Sequence, residues 1–142
     1  MVFWALIALS VQMILGMFVN LFVTIPAGHP GAGVGYFAGV PQVVLWAVAR
    51  GALSLKLHVV LGVLLFVDAI VILVAAIRAR AAVWSAALAL FGVFAAAGNG
   101  ASFLIYGHGF SSLFMTIGLA IALAAYAAAL YSPPGRAGDA AG

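Results

Sequence analysis

Residues 55–77 read LKLHVVLGVLLFVDAIVILVAAI, closed by Arg78 and Arg80. About 20 consecutive apolar residues cross the hydrocarbon core of a bilayer as a helix. This stretch is long enough and carries only Lys56 near one end and Asp68 near the middle as charged residues. The stretch therefore reads as a transmembrane span, and the rest of the chain is interpreted around it.

Three further runs share its character. Val2 to Ile25 has no charge and is interrupted only by Ser10, Gln12, Asn20 and Thr24. A secretory signal would need a basic start and a shorter apolar run, so this is read as a retained first span. A third span is expected from Ala82 to Tyr106, passing through an interruption at Gly98-Asn99-Gly100, and a fourth from Phe110 to Tyr131. Residues 26–40 form a Gly/Pro-rich loop whose glycines lack the preceding strand and following Lys-Ser/Thr of a phosphate loop. Pro41 suits the first position of a helix. Residues 41–54 are too short to span, and with Trp46 and Arg50 they suit a short interfacial helix.

Composition agrees. Of 142 residues, 68% are hydrophobic and only 5% charged, against about 25% charged in soluble domains. So few charges cannot coat a soluble globule, which excludes soluble, disordered and nucleic-acid-binding classes despite a net charge of +3. There is no cysteine, hence no disulfide framework or thiolate metal site. The expected fold is an all-α integral membrane four-helix bundle over residues 1–132, with a long loop and short interfacial helix between spans one and two. A short flexible tail is expected over residues 133–142. The positive-inside rule puts the Arg78–Arg80 turn, both termini and Arg136 in the cytoplasm, leaving Arg50 and Lys56 outside.

Helices associate in lipid through small residues and interhelical hydrogen bonds. Candidate faces are Ala5, Ala8, Gln12 and Gly16 on the first span and His58, Gly62, Ala69 and Ala76 on the second. Ala82, Ala86, Ala89 and Ala96 on the third, and Ser111, Met115, Gly118, Ala122, Ala125 and Ala129 on the fourth, continue the pattern.

Asp68 lies roughly 16 Å below the outer boundary. An ionised carboxylate there is costly, so it should face the interior, with Gln12 at about the same depth as its partner. His29, His58 and His108 fall at one end of the bundle, together with Asn20, Thr24, Asn99, Ser102 and Tyr106. Two chemistries fit this polar end. His58 and His108 could ligate a haem b iron, with Lys56 and Arg50 at the propionates. Alternatively, His29, His58 and His108 could hold Zn or Cu, although no close i,i+4 pair supports this. Serine or paired-carboxylate catalysis has no support, and a stand-alone enzyme is not expected.

The segments Val19-Asn20-Leu21 with Ile25-Pro26, Leu57-His58 with Leu61-Gly62, and Asn99 to Leu104 resemble a family of small four-helix bacterial membrane proteins of unassigned function. The resemblance covers most of residues 10–130 and implies a location in the bacterial inner membrane, with no activity to carry over. A His followed by Leu and Gly on a span is also similar to haem-bearing membrane cytochromes, by analogy alone. The leading expectation is a structural or accessory subunit that packs with itself or within a larger membrane complex. A haem or metal protein exchanging electrons with quinone, or a small transporter or channel, are the alternatives.

Overall fold

A computed structural model describes residues 1–131, which form five helices and no strand among the described residues. The expected tail at 133–142, with Arg136, lies outside them. The helices are α1 (Val2–Phe22), α2 (Tyr36–Arg50), α3 (Leu53–Ala79), α4 (Val83–Tyr106) and α5 (Gly109–Tyr131). All but α2 are long and apolar enough to cross a membrane.

These four pack in a closed cycle, α1 on α3, α3 on α4, α4 on α5 and α5 on α1, without diagonal contacts. Short connections make α3, α4 and α5 successively antiparallel, whereas α1 and α3 are joined by a longer segment that includes α2. One core cluster runs along the cycle through Ala5, Leu9, Leu65, Ala69, Ala89, Ala122 and Tyr126. Where α4 and α5 meet, no side chain separates the backbones. A Cβ placed on Gly92 would stand 2.5 Å from the Gly118 carbonyl oxygen, and one on Gly118 would stand 2.7 Å from that of Gly92. Close backbone approach of this kind is how helices associate where lipid removes the hydrophobic drive.

The shorter α2 lies against α3 and α4 at one end of the cycle, building a second cluster from Val19, Val43, Ala47, Leu55, Leu104 and Ile105. The loop before it is held in place. Gly33 N–H donates to the Ile105 carbonyl at 2.9 Å. Gly31 adopts φ +88°, and a Cβ there would meet Val43 Cγ1 at 2.8 Å, so both conformation and space call for glycine.

Three boundaries differ from the sequence reading. The first helix stops at Phe22, because Val23 turns extended to lead the chain back over the bundle end. The second starts at Tyr36 and encloses Pro41. Gly39 N–H already bonds to the Gly35 carbonyl at 2.8 Å, so the helix is established before the proline. Pro41 then leaves only the Phe37 carbonyl without its intrahelical donor, at an exposed turn. Finally, α4 runs unbroken through Gly98-Asn99-Gly100. The Asn99 amide bonds back to the Ala95 carbonyl at 2.8 Å, keeping its polar group inside the helix.

Candidate functional site

The end of the bundle that carries α2 collects most of the polar side chains, as their depth along the spans implied. Its organising feature is an exchange between α1 and α3. Gln12 of α1 lies over Gly62, where a Cβ would stand 3.1 Å from Gln12 Nε2. One turn along each helix, the His58 imidazole lies over Gly16, where a Cβ would stand 3.0 Å from His58 Cε1. Each helix thus offers one polar side chain and receives the other's in a glycine notch. Gln12 Nε2 donates to the His58 carbonyl at 3.1 Å. Gln12 is only 7% exposed, and its Oε1 is buried without a partner, as is His58 Nδ1.

This geometry corrects the expected pairing of Gln12 with Asp68. Gln12 meets the backbone of His58 instead, ten residues earlier on α3, because the two glycine notches set the register between the helices. Asp68 is half-buried on α3.

The three histidines occupy three separate settings. His29 is 8% exposed. It stacks on Trp46 at 4.4 Å between ring centroids, with Nδ1 donating to the Pro30 carbonyl at 3.0 Å. His58 sits in the α1–α3 notch. His108 is exposed, stacks on Tyr106 at 5.6 Å, and offers its carbonyl to Ser111 N–H at 3.0 Å. No group of three His, Cys, Asp or Glu side chains among the described residues stands ready to hold a metal ion. The expected metal set of His29, His58 and His108 is therefore not assembled. His58 lies within α3 against α1, whereas His108 stands in the α4–α5 connection, so the two are not brought together.

The cations expected at haem propionates are placed differently too. Lys56 Nζ donates to the Ala49 carbonyl at 3.0 Å, closing the last turn of α2, where the helix dipole favours a cation. Arg50 is exposed in that same turn. Asn20 is exposed at the end of α1, and Asn99 is spent within α4.

Two tyrosines were missed from the sequence. The Tyr36 hydroxyl donates to the Gly98 carbonyl at 2.9 Å, tying α2 to α4. Burial, and secondarily the Tyr106 phenol, push its pKa above the ordinary value, so it remains a donor across the physiological range. Tyr126 is 1% exposed, with its hydroxyl buried and unpartnered. Its position four residues after Ala122, on the small-residue face of α5, was the available signal. A buried hydroxyl without a partner costs about 1–3 kcal/mol. Tyr126→Phe should accordingly raise the melting midpoint of the purified protein. A lower midpoint would show that the hydroxyl has a partner.

No protein-family model, no curated protein and no solved structure matches the chain. Functional inference therefore rests on the residues themselves.

Proposed function

We propose that this chain is an integral protein of the bacterial inner membrane that acts as a structural or accessory subunit through its helix faces. The observation that carries the reading is an apolar band around the whole bundle. Phe3 and Ile14 on α1, Leu64 and Val67 on α3, Phe91 and Phe94 on α4, and Leu113 and Phe114 on α5 are all exposed.

Aromatic residues bound this band. Trp4, Trp84 and Tyr131 are 69%, 89% and 88% exposed at the end opposite α2. Tyr106 and Trp46 stand at the α2 end. On α4, Trp84 and Tyr106 are separated by about 33 Å along the axis, close to the hydrocarbon thickness with its interfacial anchors. The polar groups meanwhile serve the fold. Gln12, Tyr36, Lys56 and Asn99 each donate to a backbone carbonyl, and Ser111 bonds Ser102 across α4 and α5. That pattern supports action through packing rather than through an internal reaction site.

Extraction of the native membrane into polymer nanodiscs, followed by mass measurement, tests the accessory role. The chain should emerge with further copies of itself or with another membrane protein. A lone monomer would overturn that role.

The proposed orientation keeps both termini and the Arg78–Arg80 turn in the cytoplasm. Single cysteines at Ala32, Ala79 and Ala140 are informative because the chain has none of its own. An impermeant thiol reagent on intact cells should label only position 32. Label at 79 with silence at 32 would invert the topology, and label at every position would deny that the helices cross the bilayer.

A further inference from the structure

At the end opposite α2, the starts of α1 and α4 and the ends of α3 and α5 surround a half-open apolar cavity of about 230 Å³. Its wall includes Ile72, Ala76, Ala82, Ala86, Tyr126 and Ala129. A cavity of ~150 Å³ already accepts benzene. From Ile72 to Ala79 the wall runs about 10 Å along α3. The space is thus a slot leading inward from the α3–α4 turn, with room for part of a hydrocarbon chain.

The rim of the slot holds a second feature. Arg80 closes α3 at φ +51°, and Ala82 opens α4 at φ +52°. Arg80 N–H bonds to the Ile77 carbonyl and Ala81 N–H to that of Ala76, a helix ending whose left-handed residue is usually glycine. A side chain in that conformation costs about 1–2 kcal/mol. The chain has 17 glycines, yet this position carries arginine. Arg78 and Arg80 are both exposed, and neither forms an ion pair among the described residues. Two exposed guanidiniums without an ion pair among the described residues, in the turn that supplies Ala79, Ala81 and Ala82 to the slot wall, are open to a ligand from outside the fold.

We propose that this end binds an anionic phospholipid, with an acyl chain in the slot and the phosphate held by Arg78 and Arg80. The guanidinium fork matches phosphate geometry, and basic sites at helix ends recognise acidic headgroups. The slot and the cations lie at the same membrane boundary, as the two parts of one lipid require. This inference rests on the reading of the bundle as embedded in a bilayer.

Thermal melting of the full chain in detergent, titrated with phosphatidylglycerol or phosphatidylcholine, provides the test. The midpoint should rise with the logarithm of phosphatidylglycerol concentration and not with phosphatidylcholine. Arg78→Gln and Arg80→Gly should each weaken the lipid response about fivefold. Arg80→Gly also separates charge from structure, because relief of the left-handed strain should raise the lipid-free midpoint while the lipid response falls. Ala129→Phe, or the milder Ala76→Leu should the first fail to fold, fills the slot with both arginines in place and should abolish the response.

Equal stabilisation by the two lipids would overturn the proposal, as would an undiminished response in Arg80→Gly or in the filled variants. Residues 132–142, which continue the chain after α5, are the rival occupant. A phosphatidylglycerol response that appears only after their deletion would also overturn it. A protein that floats with liposomes yet responds equally to both lipids would lose this inference and keep the bilayer reading.

Discussion

Gly118→Leu removes more thermal stability from the bundle than any truncation of a neighbouring side chain, including Leu119→Ala. At Gly118 even a methyl group has no room. Its Cβ would lie 2.7 Å from the Gly92 carbonyl oxygen and 2.8 Å from the Ala96 nitrogen. Both are backbone atoms inside a helix and cannot rotate aside. The only relief is to separate α4 from α5, which opens the most extensive helix contact in the molecule. Overpacking costs about 1–3 kcal/mol where side chains can yield, and more where they cannot. Leu119→Ala leaves a space bordered by side chains that can partly close it. Gly100 supplies the internal control. A Cβ there meets only Met115 Sδ at 3.3 Å, a flexible thioether, so Gly100→Ala should be mild. Gly92→Ala and Gly118→Ala should combine to less than their sum, because the helices need separating only once. Equal melting midpoints for Gly118→Leu and Leu119→Ala would refute this packing.

The same contact shows what the sequence could and could not reveal. Gly118 belongs to a small-residue face visible at three- and four-residue spacing, and the four long apolar runs are evident from their length and composition alone. Depth was readable too, since it depends only on counting along a helix. Rotation about the helix axis was not. Alanine is so frequent on α4 and α5 that several faces are equally small, and no polar stripe marks the outside. Hence His58 and His108 could be assigned to one end but not to one interface. The register between α1 and α3 was hidden for a related reason. Equal depth paired Gln12 with Asp68, whereas the glycines at 16 and 62 draw Gln12 toward the His58 carbonyl. Pro41 misled because a proline suits the first turn, while the loop glycines before it gave no sign that Tyr36 would start the helix earlier. The cavity near Tyr126 requires four helix ends to converge, information that no single segment contains.

Gly16→Leu should release α1 from α3, and a second change at His58 should recover much of the loss. The His58 ring occupies the volume that a side chain at position 16 would fill, with Cε1, Nδ1 and Nε2 at 3.0, 3.6 and 3.8 Å from the ideal Cβ. Leu at that position must drive the imidazole out of the interface. His58 cannot simply swing away at no cost, because its backbone carbonyl is held by Gln12 and its helix by the Gly62 notch. The Gly16→Leu protein should therefore melt well below the parent. His58→Ala alone should also melt lower, by the packing its ring provides in the Gly16 notch. Combined, the leucine at 16 can enter the space vacated at 58, so the double variant should be more stable than the sum of the single losses predicts. Contacting residues couple by about 0.5–3 kcal/mol, enough to resolve in denaturation curves measured side by side. Gly62→Leu with Gln12→Ala forms the matching cycle one turn away and should show coupling of the same sign. Strict additivity in both cycles would mean that α1 and α3 do not meet through these notches. The imidazole of His58 would then be free for another task.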